Sequence, residues 1–182
     1  MASAEPAAVR AFSEIRVTGR DRSRAEALAE EIGPHARAVS SYEEAIRGSD
    51  VVAATTHATK PIVRREWLSP GVHVNSVGLN PSGREVDEQT VADALLVVES
   101  RESALAPPPA GAPELVGVSP ADVHAELGEL VAGTKPRRSS QDEITLYKSV
   151  GVAVQDVAAA ALVLAAAKER SVGRAIELEE LT

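Results

Sequence analysis

The chain contains no cysteine, which excludes disulfides, thiolate zinc sites and cysteine nucleophiles. Aromatics are nearly absent, at one Phe, one Trp and two Tyr, so any core must be built from Ala, Val, Leu and Ile. Basic residues are in deficit, 19 against 27 acidic, for a net charge of −8. That balance favours solubility and argues against a nucleic-acid partner. No apolar run reaches the roughly 20 residues of a membrane span, so no membrane partner is expected. The longest run, Val157 to Ala167, is bracketed by Asp156 and Lys168 and reads as a buried helix. The segment Met1 to Pro6 has no basic region followed by an apolar one, so no signal peptide is expected there. With no cysteine either, the expected location is cytoplasmic. The four histidines, His35, His57, His73 and His124, are scattered. None pairs with another histidine or a carboxylate at metal-ligand spacing, so no metal site is expected.

What is present is an alternation of short β-branched runs and helical stretches. Strands are expected at Ile15–Thr18, Ala36–Val39, Val51–Thr55, Val72–Ser76 and Leu95–Val98, with helices at Ala25–Ile32, Glu43–Arg47 and Asp87–Asp93 between them. Alternation of this kind argues for a parallel sheet with helices on its faces. Ser41-x-x-Glu44 has capping-box spacing, and Gly33-Pro34 and Ser69-Pro70-Gly71 are breakers. The order resembles a dinucleotide-binding unit entered part-way through, because no G-x-G-x-x-G/A turn precedes the first strand. The expected fold class is therefore α/β: a partial doubly wound Rossmann sheet lacking its first strand, plus a long C-terminal helix.

After Leu105 the alternation fails. Pro107 to Pro113 reads as a stiff, extended linker, Val123 to Val131 as a short helix and Lys135 to Ser140 as a polar loop. Glu143–Lys148 reads as a strand. A long helix from about Val150 to Arg170 is apolar on nearly every side and should be buried by something. These features divide the chain into a Rossmann portion at 1–133 and a C-terminal strand and helix at 134–182.

Five segments carry a family resemblance. They are Ile15 to Asp21 (IRVTGRD), Glu66 to Asn75 (EWLSPGVHVN), Val77 to Asp87 (VGLNPSGREVD), Ala125 to Gly133 (AELGELVAG) and Asp142 to Gly151 (DEITLYKSVG). In order and spacing the chain resembles the ornithine cyclodeaminase/mu-crystallin family. The resemblance implies a nicotinamide coenzyme, a small amino or imino acid substrate and full-length relatives that are homodimers. It further implies that the chain corresponds to the C-terminal half or so of a member. The dimerisation and substrate domain, the first strand and the glycine turn are then expected before residue 1, and the long helix would pack on that domain.

Site residues follow from both sources. An NAD-type domain places an acidic side chain at the end of its second strand, on the ribose hydroxyl. Here that strand ends in Gly19, followed by Arg20, whose guanidinium suits a 2′-phosphate. NADP is expected, with NAD as the alternative because Asp21 could still reach a ribose. Thr55 and Thr56 end a later strand, where such sheets hold ligands; the resemblance puts a coenzyme-contacting threonine there. It puts Val77, Gly78 and Leu79 at the nicotinamide, Gly78 allowing close backbone approach. Ser149 matches the family's serine that reaches the coenzyme, and from the residues alone would be a helix N-cap.

Asn80 is the candidate catalytic position. The resemblance places an aspartate there in cyclodeaminases, and an amide cannot take its proton; Asn80 could equally sit in a turn. His57 is the histidine nearest the expected crevice. Arg84 and Glu85 either brace the loop or meet ligand. The leading expectation is an NAD(P)-dependent oxidoreductase of the alanine dehydrogenase or imine reductase type. The alternatives are a non-catalytic nucleotide-binding protein like the crystallin members, or a truncated product with neither function. The isolated chain is expected to be marginal and inactive.

Overall fold

A computed structural model describes residues 11–174 and 176; Met1 to Pro6 lie outside the described residues. The chain divides into two compact units, Met1–Val150 and Gly151–Thr182.

In the first unit, β1 (Ile15–Val17) and β2 (Ala36–Ala38) pair in parallel, Ile15 with Ala36 and Val17 with Ala38. Helix α1 (Arg22–Ile32) connects them and buries Ala25 and Ala29, one turn apart on one face. The Asp21 carboxylate caps α1, accepting from the backbone N–H groups of Ser23 and Arg24. Helix α2 (Tyr42–Ile46) starts at Ser41, whose hydroxyl accepts from the Glu44 N–H. The other half of the expected capping box is diverted: Glu44 accepts from the N–H and hydroxyl of Ser40. Arg16 on β1 donates to the carbonyls of Glu44 and Arg47, tying the first strand to the end of α2.

The second sheet has five parallel strands: β3 (Val51–Ala54), β4 (His73–Ser76), β5 (Leu95–Val98), β6 (Ala125–Glu126) and β7 (Thr145–Lys148). Their order is β3-β4-β7-β5-β6. The break between the sheets separates β1 and β2 from the other strands. Among the described residues β1 pairs only with β2 and β3 only with β4, so each keeps one unpaired edge.

Three expectations change. The strand at Glu143–Lys148 does not belong to the C-terminal segment. It lies in the middle of the sheet as β7, so the division expected at 133/134 moves to 150/151. Its buried Leu146 and Lys148, alternating with half-buried Thr145 and Tyr147, explain the placement. The stretch Val123 to Val131 is not one helix: β6 takes its middle and helix α5 (Leu127–Val131) its end, because Ala125 is drawn into the sheet beside Val97. The proline-rich run is not an extended linker. After helices α3 (Glu88–Asp93) and α4 (Arg101–Ala104), the chain turns back so that Gly111, Ala112, Glu114 and Leu115 are all buried. The Ala112 N–H donates to the Ala104 carbonyl, and a 3-10 turn spans Pro113–Leu115.

The core lies on one face of the large sheet. Val52, Val74, Leu146 and Leu96 form one row across it and meet Val63, Leu68, Val86, Ala104 and Leu115. Gly71 opens β4 at positive φ (78°) and passes so close to the Gln141 carbonyl that a side chain would overlap it. In the second unit, helix α6 (Ala153–Glu169) is 17 residues long, with Val154, Val157, Leu162, Val163 and Leu164 exposed. No helix among the described residues is long and apolar enough to cross a membrane.

Candidate functional site

The strands end in register. Ala54 pairs with Ser76, Ser76 with Lys148 and Lys148 with Val98, so the segments after this row leave one edge of the sheet together. Those segments begin with Thr55, Val77, Ser149 and Glu99. The parallel arrangement therefore gathers Thr55, Thr56, Val77, Gly78, Leu79 and Ser149 at the carboxyl edge, where open α/β sheets bind ligands. Gly19, Arg20 and Asp21 stand at the corresponding end of β1, in the other sheet.

Asp21 is committed to its helix. Beyond the two backbone groups it accepts from the Ser23 hydroxyl at 2.7 Å, and that bond, with the Arg24 N–H, holds its carboxyl below the usual range. Arg20 is exposed and makes no ion pair or side-chain hydrogen bond among the described residues. Arg22 and Arg24, by contrast, pair with Glu26 and Asp21.

Beneath the lip of β3, β4 and β7 sits a buried polar network. Glu85, 1% exposed, accepts four hydrogen bonds. Oε1 takes the Thr56 N–H and the Thr56 hydroxyl. Oε2 takes the Ser76 hydroxyl and the Gly78 N–H, each at 2.9 Å. Lys148, fully buried, donates to the Gly78 carbonyl at 2.6 Å and to Ser76 Oγ at 3.2 Å, and its Nζ lies 3.5 Å from Glu114. Glu114 in turn accepts from the Glu85 N–H at 2.8 Å.

Gly78 is therefore required by the protein's own packing. A Cβ there would overlap the Thr56 carbonyl and the Glu85 carboxylate. Its N–H and carbonyl both point into the network, and its close approach is to Thr56 and Glu85. Thr56 is likewise engaged, its hydroxyl donating to Glu85 and accepting from the Ala58 N–H. The groups facing outward are Thr55 and Val77, both exposed, and half-buried Leu79.

Asn80 takes the turn role. Its amide donates to the carbonyls of His57 and Ala58, and its Oδ1 accepts from the Ser82 N–H, which ties the loop after β3 to the loop after β4. Arg84 pairs with Glu88 at 2.8 Å, and His57 contributes its carbonyl. Ser149 is buried and its hydroxyl donates to Glu99 at 2.8 Å. It is not the cap of α6, which begins four residues later at Ala153 with Val152 as N-cap. No group of His, Asp and Glu suited to a metal ion occurs among the described residues.

Sequence reasoning missed Lys148 and Glu114. Lys148 did carry a signal: it lies two residues from Leu146 in a strand and so shares the buried face. Glu114 carried none, because a proline-rich composition hides the return of the chain.

The arrangement fits a nicotinamide dinucleotide in its two strand-end regions. An exposed guanidinium follows β1, and an apolar lip with the exposed Thr55 hydroxyl follows β3 and β4. The chain is similar to imine reductases and to an alanine dehydrogenase. Mouse ketimine reductase mu-crystallin is 42% identical over 153 residues, 84% of this chain and 47% of the relative. A delta(1)-pyrroline-2-carboxylate reductase of Bacillus cereus is 38% identical over 178 residues, 93% of this chain and 54% of the relative. The chain thus spans about half the length of these curated relatives. Among solved structures, the Thermococcus litoralis delta(1)-pyrroline-2-carboxylate reductase in complex with NADH and L-proline superposes with a TM-score of 0.85 at 34% identity. That match covers 94% of this chain and 55% of the other. An archaeal alanine dehydrogenase dimer with bound NAD gives 0.71 at 34% identity, covering 86% and 49%. The model of the ornithine cyclodeaminase/mu-crystallin family matches residues 3–171, and the chain belongs to that family.

Proposed function

We propose that this protein is a nicotinamide-dependent oxidoreductase that interconverts a small amino acid with its imino or keto acid, using NADP in preference to NAD. The observation that carries the proposal is the convergence of Thr55, Val77, Leu79 and Ser149 at the carboxyl edge of three adjacent parallel strands. The coenzyme, when bound, supplies the hydride. The chain's own residues bind and orient it. Arg20 would hold the 2′-phosphate through a charge-assisted contact, while Asp21 stays on its helix cap. Val77 and Leu79 would offer the nicotinamide an apolar edge, and the Thr55 hydroxyl would offer a polar contact. Asn80 braces the loop and handles no proton.

The relatives named as imine reductases and alanine dehydrogenases support the substrate class. A homodimer is proposed for the whole protein by analogy with the archaeal dehydrogenase. Fluorescence titration of the natural protein with NADPH and NADH tests binding. Coenzyme turnover with delta(1)-pyrroline-2-carboxylate, or with pyruvate plus ammonia, tests chemistry. Saturable binding with turnover of either substrate is expected. Binding without turnover of any imino or keto acid would reduce the role to nucleotide binding, and no binding would contradict the proposal.

A further inference from the structure

We propose that Glu85, held by Ser76 and backed by Lys148 and Glu114, is a positioning residue that sets the strand-end peptides at Thr56 and Gly78 and thereby shapes the seat of the nicotinamide half of the coenzyme. The inference rests on the proposed coenzyme binding. Three observations carry it.

The first is capacity. A carboxylate offers about four acceptor positions, and Glu85 fills them with the N–H and hydroxyl of Thr56, the hydroxyl of Ser76 and the N–H of Gly78. Nothing remains to meet a ligand or take a substrate proton, so the side chain acts through the backbone it holds. The second is location. Thr56 follows β3 and Gly78 follows β4, so one carboxylate spans two neighbouring strand ends and fixes their spacing. Lys148, at the end of the third strand, takes the Gly78 carbonyl. Gly78 is thus clamped at both its N–H and its carbonyl, between exposed Val77 and half-buried Leu79.

The third observation is confinement. The network touches β3, β4 and β7, all in the five-stranded sheet, whereas Arg20 follows β1 in the two-stranded one. Dinucleotides lie across two mononucleotide halves of such folds. With the adenosine phosphate read at Arg20, the half over β3 and β4 receives the nicotinamide. A disturbance of Glu85 should therefore be felt by one half of the coenzyme and not the other. A side chain that merely supports the fold would show no such selectivity.

Glu85→Gln keeps the shape but turns an acceptor into an N–H₂ group facing N–H and O–H donors, which pushes one strand-end peptide outward. Ser76→Ala removes one hydroxyl from the same network at nearly constant volume. In the natural protein, the affinities for NADPH and for 2′-phospho-ADP-ribose, which shares every group except the nicotinamide, are compared together with the thermal midpoint. For Glu85→Gln the expected result is a loss of about tenfold or more for NADPH with a change under about twofold for the nicotinamide-free ligand. Should that variant fail to fold, the same ratio on Ser76→Ala decides, with a selective loss of about threefold or more expected. A lowered midpoint with both ligands weakened equally, or with neither changed, would overturn the positioning role and leave the proposed function intact. A wild-type protein that binds neither ligand would overturn both.

Discussion

Replacing Lys148 by methionine is expected to remove about 3–5 kcal/mol of stability, the usual consequence of breaking a buried ion pair on one side. Methionine fills much the same space, so little is lost in packing. What disappears is Nζ, which donates to the Gly78 carbonyl and to Ser76 and faces Glu114 at 3.5 Å. A buried carbonyl left without its donor costs about 1–3 kcal/mol. Stranding Glu114 costs more. Its Oε2 already lacks a hydrogen-bond partner among the described residues, so without the ammonium its carboxylate keeps only the Glu85 N–H. Total stabilities of about 5–15 kcal/mol make this a severe loss. Urea unfolding followed by circular dichroism, on Lys148→Met, Glu114→Gln and the double variant, reads it directly. The double variant should lose less than the two singles added together, because glutamine removes the stranded charge. A loss under about 1 kcal/mol for Lys148→Met, with additivity within about 0.5 kcal/mol, would refute a buried, paired lysine.

Other outcomes follow from single residues. Arg20→Asp should reverse a preference for NADPH over NADH, shifting the ratio of dissociation constants at least about tenfold, since a charge-assisted phosphate contact contributes about 1.5–3 kcal/mol; equal affinities before and after would remove Arg20 from the site. The protein should release no proline or ammonia from ornithine and NAD, and Asn80→Asp should not install that activity. The carboxylate would face the carbonyls of His57 and Ala58 in place of an amide that donates to both, so the variant should instead lose about 1–3 kcal/mol in urea unfolding. Burial, and after it the Arg138 charge, hold the His73 imidazole below its ordinary 6.5. As pH falls the unfolded chain takes up that proton before the folded one, so stability is full above the ordinary value and is lost as pH drops through it toward the lower folded value. His73→Gln should flatten this part of the stability profile, and an unchanged slope would mean that the imidazole is not held neutral.

Strand positions were legible because β-branched runs between breakers leave few alternatives; Leu95–Val98 was read to the residue. Strand order was not legible. That β7 inserts between β4 and β5 is a long-range fact, decided by which apolar face fits which gap, and nothing local to Thr145–Lys148 encodes it. Pro107 to Pro113 misled for a related reason. Proline removes donors and stiffens the chain, but the apolar Ala112 and Leu115 beside it had to be buried, and burying them carried Glu114 into the interior.

The strand-end positions of Arg20, Thr55, Val77 and Leu79 were readable, because the strands they follow were. The floor of the site was not. Charged residues are exposed by default, and only partners distant in sequence make Lys148 and Glu85 exceptions. Asp21 looked like a possible ribose ligand because an N-cap and a ribose contact ask for the same side chain at nearly the same place.

Hydrogen–deuterium exchange of the natural protein with and without NADPH tests the central claim most directly. Slowed exchange is predicted in two places, the segment after β1 around Gly19 to Arg24 and the strand ends at Thr55 to His57, Val77 to Asn80 and Ser149 to Val150. The surface around Pro61, Arg84 and Gln89 should be unchanged. Saturating NADPH that leaves both strand-end regions unprotected, or protects only that surface, would contradict a coenzyme seated on the carboxyl edge of this sheet.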